Sequence, residues 1–266
     1  MDSGKTSNKV EFLPSLTSLR FFAAIYVACL HCEHHWRHYS IFSTLASAGW
    51  IGVPFFFILS GFVLMWNFNA DISGKDFIFR RFSRIYPLHL LFLLIAIALY
   101  LATNQLMAGY PGDYIDTLAN LLLVHAWLPF HPMPQTWNGV SWTLSCEWFF
   151  YISAPFLFRW MLKSRDNRSS LLFWLISIWI ILLTSNIAAA TRNLGWMNYF
   201  IHMHPSIRLF EFLVGAYGAI LVKTGFVFCN WFFALTLSIA PIILYCLAFP
   251  KYGNFWFFWR IYGWFS

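Results

Sequence analysis

Charge is scarce in this chain. Asp, Glu, Lys and Arg make up 10% of its 266 residues, and acids are the scarcer sign, ten against seventeen bases. Ordinary soluble domains are about 25% charged, so there is too little polar material here to cover a water-facing globule. Cysteine is sparse as well. Cys29, Cys32, Cys146, Cys229 and Cys246 follow no regular spacing, and four of them lie in apolar runs where a free thiol acts as a small hydrophobe, which excludes a disulfide framework. Cys29 and Cys32 spell C-x-x-C but lack the surrounding strand and helix pattern of a thioredoxin-like redox motif. Internal repeats and low-complexity tracts are absent. So is the pattern of a cleavable signal peptide, because the first twelve residues are polar and the next apolar stretch holds Arg20 and no small-residue cleavage site.

What fills the chain instead is apolar, 60% hydrophobic and 22% aromatic. That composition suits lipid as the solvent, where each spanning helix needs about 20 mostly apolar residues. Eight or nine such stretches are present: spans near 15–36, 47–68, 85–103, 138–161, 170–190, 206–222 and 230–249, a shorter run at 117–130, and a last one at 253–266 that Ser266 cuts off. The expected fold is all-α, a polytopic transmembrane helical bundle forming one membrane domain over residues 1–266, with a polar cytoplasmic tail at 1–12 and an incomplete last helix.

Basic residues set the orientation, since short cytoplasmic loops carry the excess of Lys and Arg. Lys5 and Lys9 place the N-terminus inside, and two crossings later Lys75, Arg80, Arg81 and Arg84 appear together, while the loop at 104–116 holds Asp113 and Asp116 and no base. Arg159, Lys163, Arg165 and Arg168 form the next cluster, and keeping it inside requires that 117–130 not cross. This placement also explains the net charge of +7: the bases lie in short clusters between apolar segments, not along an exposed face, so nucleic acid is not an expected partner.

Ionisable residues inside spans are costly and mark function by default. Arg20 and His31 are eleven residues apart on the opening helix, about three turns, so they share one face with roughly 16 Å between them. His35 and His38 continue that face. Histidine suits proton transfer near neutral pH. Taken alone, the pair also fits an arginine snorkelling to inner headgroups and a histidine in the outer interface. His31, Glu33, His34, His35 and His38 further admit a metal or haem reading, although no second ligand cluster of comparable density supports it.

In Phe79-Arg80-Arg81-Phe82-Ser83-Arg84-Ile85-Tyr86-Pro87, Arg81 and Arg84 are helical neighbours whose guanidinium forks can hold phosphates, though the cluster by itself also reads as a positive-inside anchor. Ser141-Trp142-Thr143-Leu144-Ser145-Cys146-Glu147-Trp148-Phe149-Phe150-Tyr151 is an aromatic helix with one carboxylate, Glu147, which must find a partner on another helix, be protonated, or brace packing through hydrogen bonds. Arg208 and Glu211, three apart, are expected to pair structurally.

Four of these segments resemble, in order and spacing, the motifs of the acyltransferase-3 family of integral membrane acyltransferases. Arg20 through His31 is similar to its arginine–ten residues–histidine opening. Phe56-Phe57-Ile58-Leu59-Ser60-Gly61-Phe62 resembles its F-F-x-x-S-G-F, Arg81 to Pro87 its R-x-x-R-I-x-P, and Trp142 to Tyr151 its W-S-L-x-x-E-x-x-F-Y, with Thr143 where Ser is common. The resemblance runs from about residue 13 to about 220. It implies an enzyme of the bacterial cytoplasmic membrane that moves an acyl group, acetyl in the first instance, from cytoplasmic acyl-CoA to a hydroxyl of an extracytoplasmic carbohydrate or lipid-linked sugar. No prosthetic group or metal is implied.

By the same resemblance His31 and Glu147 would be catalytic, Arg20, Arg81 and Arg84 would bind acyl-CoA, and Ser60, Tyr86, Trp142, Ser145 and Tyr151 would belong to the site. Members carry about ten spans and a late S-Y-x-x-Y-x-x-H-type helix, so this chain is expected to be a shortened member. The rival reading is a transporter with a buried Arg20, His31 and Glu147 pathway, against which stands the lack of inverted repeats.

Overall fold

The computed structural model describes residues 14–31, 49, 52–106, 110–128, 133–163, 177, 180 and 202–225. Apart from Ser177 and Ile180 the span expected at 170–190 lies outside the described residues, as do those at 230–249 and 253–266, the residues 33–38, and Arg165 and Arg168. Those described are helical apart from turns and one isolated bridge between Tyr110 and Thr136. They fall into two compact units, divided at residues 56/57 and 224/225.

One unit holds helix α1 (Pro14–His31), Gly49 and the first turn of α2 (Gly52–Trp66). Pro14 opens α1, its fixed φ suiting a first helical position. Ala23, Tyr26, Val27 and Leu30 line the side that meets Gly49 and Gly52, where an added Cβ would strike the Tyr26 carbonyl or the Val27 side chain. Glycine is needed at both places because the backbones nearly touch. Arg20 and His31 fall on the stripe of Ala23 and Val27, at helical spacings of three, seven and eleven; Arg20 is half-buried and His31 exposed.

The other unit is built from the rest of α2, α3 (Gly74–Thr103), α4 (Tyr114–Leu121), α5 (Trp142–Lys163) and α6 (Pro205–Lys223). Ser73 caps α3 by accepting the Lys75 amide, Asp76 complements the dipole in its first turn, and Asn104 closes it in the left-handed conformation with φ 54°. At ~1.5 Å per residue α3 is ~45 Å long, beyond the ~30 Å of a hydrocarbon core. The span expected at 85–103 is therefore only its apolar part. The eleven residues before it, Arg80, Arg81 and Arg84 included, continue the same helix instead of forming a loop.

Hydrogen bonds from Arg159 Nη2 to Ala70 O (3.3 Å) and Ile72 O (3.0 Å) pin the far turn of α5 beside the start of α3. The two helices run antiparallel, so the 75–84 and 159–163 clusters lie at one end of the unit. The chain between them leaves and returns at the other end. There α4, eight residues or ~12 Å, is too short to cross a bilayer. A non-crossing 117–130 was the expectation, and within this unit the fold agrees with it.

Helices do not associate in lipid by hydrophobic burial, so close packing must hold them. Two devices supply it. Phe57, Phe150, Phe212, Phe158, Phe68 and Phe77 form a continuous run of ring contacts with centroids 4.9–5.9 Å apart, joining α2, α5, α6 and α3. Gly61 on α2 and Gly215 on α6 then let two backbones meet: a Cβ on Gly61 would overlap the Phe212 carbonyl, and one on Gly215 the Ile58 carbonyl. Among the described residues, α3 and α6 are long and apolar enough to cross a membrane.

Candidate active site

Two polar clusters lie along α5, one on the helix at Glu147 and Tyr151 and one at its entrance. The first is at the level of the basic end. Tyr151 Oη donates to Glu147 Oε2 at 3.0 Å, one turn apart on the same helix, so the carboxylate's bond from Tyr151 comes from its own helix and not from another. Arg81 and Arg84, neighbours on α3, lie within electrostatic reach of that phenol. Arg81 is half-buried with its guanidinium 5.6 Å above the Phe77 ring, and Arg84 is exposed. Tyr86 stacks on Phe82 at 4.4 Å, and Phe82 meets Trp148 at 5.1 Å, which ties α3 to α5. Four of the expected site residues, Arg81, Arg84, Glu147 and Tyr151, are thus brought together.

Others have structural employment. Ser60 is buried next to the Gly61 crossing. Trp142 is half-buried, its ring 6.2 Å from Phe57. Ser145 donates to Leu123 O at 2.6 Å. Arg20 and His31 lie on α1, in the other unit.

The second cluster was not singled out in the sequence. His89 Nε2 is 2.9 Å from Asn120 O; a carbonyl only accepts, so this nitrogen carries the hydrogen. Asn120 Nδ2 donates to Asp116 O (3.0 Å) and Thr136 Oγ1 (2.9 Å). Ser141 Oγ donates to Asn138 O at 2.7 Å, which leaves it to accept from His125 Nε2 at 3.2 Å. The His89 and His125 rings lie parallel, 6.2 Å apart. All of these side chains but Asn138 are buried. Burial, with the neighbouring imidazole of His89 adding to it, pushes His125 down to about 4, so it is neutral at physiological pH.

A strained turn sits at the centre of this cluster. α4 opens with a capping box, Asp113 and Asp116 each accepting the other's backbone N–H. It closes in a Schellman motif, Leu123 N–H to Asn120 O and Val124 N–H to Ala119 O, which requires a left-handed residue, and that residue is Leu123 at φ 56° in place of the usual glycine. A non-glycine residue there costs about 1–2 kcal/mol. Asn120 O also accepts from His89, and Leu123 O from Ser145, so the turn is held from α3 on one side and from α5 on the other.

A third polar pair is self-contained. Arg208 Nη1 bonds Glu211 Oε1, and its Nε donates to His202 O at 2.6 Å, both side chains buried. This is the pairing expected from their spacing. Among the described residues no three His, Cys, Asp or Glu side chains gather as a metal site.

A family model described as an acyltransferase domain matches residues 13–266. The chain is similar to acyltransferase MdmB of Streptomyces mycarofaciens, 35% identical over 82% of this chain and 59% of that one. It is similar also to the peptidoglycan O-acetyltransferase OatA of Listeria monocytogenes, 27% identical over 61% of this chain and 26% of that one. A third relative is the putative peptidoglycan O-acetyltransferase YrhL of Bacillus subtilis, 28% identical over 62% of this chain and 27% of that one. The chain therefore spans less than two thirds of the length of each. No solved structure matches it.

Proposed function

From the premise that this chain belongs to the acyltransferase-3 family, its domain matched from residue 13 to residue 266, we propose that it is a multi-span membrane O-acyltransferase. It moves an acyl group, acetyl first, from cytoplasmic acyl-CoA to a hydroxyl of a glycan or lipid-linked sugar on the far side, with the N-terminus in the cytoplasm. The observation that carries the reading is the grouping of Arg81 and Arg84 beside the Glu147–Tyr151 pair, at the end of the unit where the basic residues collect. Guanidinium groups at such an end suit the phosphates of coenzyme A, and bidentate bonds to phosphate give them geometry as well as charge. The exposed apolar side of α3, with Leu88, Leu91, Phe92, Leu94, Ile95 and Leu101, suits acyl chains of lipid.

In the reaction His31 takes the proton of the acceptor hydroxyl as its oxygen attacks the thioester carbon. The C–S bond then breaks, the proton passes to the departing thiolate, and coenzyme A leaves as the free thiol. Glu147, held by the Tyr151 hydroxyl, is the carboxyl group that would orient the acceptor hydroxyl. The relatives named as peptidoglycan O-acetyltransferases favour a polysaccharide acceptor.

Membranes containing the protein, incubated with acetyl-labelled acetyl-CoA, should yield labelled glycan, and His31→Ala and Glu147→Gln should abolish the label while the proteins remain folded. A folded His31→Ala protein with full transfer would remove His31 from the mechanism. Absence of any acylated product from the unaltered protein would favour a transport role.

A further inference from the structure

We propose that His89 and His125 are positioning residues for acyl transfer. They clamp the strained turn at Leu123 between α3 and α5 and thereby set where Arg81 and Arg84 stand relative to Glu147 and Tyr151. The inference rests on the acyltransferase reading given above.

His89 lies five residues beyond Arg84 on α3, and Ser141 immediately precedes α5, six residues before Glu147. Each histidine takes one end of the connection between these helices. His89 donates from α3 to the last carbonyls of α4, at Asn120 O. His125 donates from the turn after α4 to Ser141 Oγ at the entrance to α5. Between them Asn120 and Thr136 close the circuit, and Ser145 on α5 holds Leu123 O.

Each imidazole puts a hydrogen at Nε2 in a buried place, and such bonds join segments 16 and 31 residues apart in sequence. The geometry also explains how a left-handed leucine is tolerated: the bonds from both flanking helices over-determine the turn. Without them the turn relaxes, and α3 and α5 lose the link that passes through α4, keeping among other contacts the Phe82–Trp148 ring pair. Phosphates can still bind Arg81 and Arg84, because both are carried by α3 alone. The alignment of the donor with Glu147 is what suffers.

The test compares variants of equal bulk. Glutamine places an amide N–H near the position of Nε2, and methionine fills the site without a donor. Transfer from acetyl-CoA is measured per folded molecule for His89→Gln, His89→Met, His125→Gln and His125→Met, together with hydrogen exchange at the Leu123 and Val124 amides. The methionine variants should lose kcat at least tenfold, with KM for acetyl-CoA changed less than threefold and exchange at the two amides accelerated. The glutamine variants should stay within threefold of the unaltered protein in all three. Ser141→Ala, which leaves both histidines in place, serves if a methionine variant does not fold, and should lower kcat severalfold.

Equal kcat in the methionine and glutamine variants, or a methionine effect confined to KM, would overturn the proposal. If the unaltered protein itself transfers nothing, the acyltransferase reading falls, while the exchange data still decide the clamp. Protection kept in the glutamine variants and lost in the methionine variants supports it, and equal protection in both sinks it.

Discussion

Two pairs of residues three apart place arginines on helices of the same unit, and they are put to opposite uses. Arg208 on α6 is buried, bonded to Glu211 on its own helix and to the His202 carbonyl. Arg84 on α3 is exposed, its neighbour Arg81 is half-buried over an aromatic ring, and their immediate helical neighbours include a third arginine, Arg80. A guanidinium that comes with its own carboxylate is neutralised as the chain folds and belongs to the scaffold. A group of three bases at one end of the unit is, under the proposed function, the place for an anion such as a phosphate.

The sharpest way to break the contrast is to remove Arg208 alone. Arg208→Met leaves Glu211 as a buried uncompensated carboxylate and should cost about 3–5 kcal/mol, read as loss of folded protein in detergent. Arg208→Met combined with Glu211→Leu should recover most of that loss. If the single variant melts like the unaltered protein, the pair is not structural.

Acid should act on the same side of the comparison. Burial, with the charge of Arg208 adding to it, pushes His202 down to about 4, and burial pushes His125 to about the same value. Each depressed imidazole favours folding fully above its unfolded pKa of about 6.5, and that contribution is lost as pH falls from there toward 4. The order of magnitude is about 3 kcal/mol for each group, from ~1.4 kcal/mol per unit. Melting temperatures recorded between pH 7.5 and 4.5 should fall, and His202→Gln should flatten the slope. An equal slope in that variant would mean that His202 is not held neutral by the fold.

On the α3 side, Arg81→Met with Arg84→Met should leave melting nearly unchanged and raise KM for acetyl-CoA about tenfold or more, equivalent to ~1.4 kcal/mol. The lysine versions should restore only part of it, since an ammonium lacks the bidentate fork. The smallest effect is ionic. Raising salt from about 0.05 to about 0.5 M should weaken donor binding a fewfold by screening exposed charge while leaving the Arg208–Glu211 pair untouched.

Much of this was legible in the sequence. Charge scarcity and apolar run length found α1, α2, α3, α5 and α6 within a few residues, except at the start of α3, where a charged, helical extension carries no apolar signal. The bases at 75–84 and 159–163 were correctly assigned to one end, and Arg208 did pair with Glu211. The Glu147–Tyr151 bond could have been read from its four-residue spacing. The buried circuit of His89, Asn120, His125 and Ser141 was missed for two reasons. Its bonds join residues 16 to 31 positions apart, and no periodicity encodes a contact between helices. Yet His89 is the only ionisable side chain in the apolar run 85–103 apart from Tyr86 and Tyr100, and the criterion that drew attention to Arg20 and His31 applies to it equally. Leu123 gave no sign at all, since a left-handed helix end is announced by glycine and here a leucine adopts it.

The meeting of Gly61 and Gly215 fixes how the bundle is indexed lengthwise. The Phe212 carbonyl takes the space of a side chain at Gly61 and the Ile58 carbonyl that of one at Gly215, so a shift of α2 by one position in either direction would drive Ser60 or Phe62 into a carbonyl of α6. The crossing works as a pin: tilting about it is open to the two helices, translation is not, and any widening of the unit must come from elements that do not pass through it.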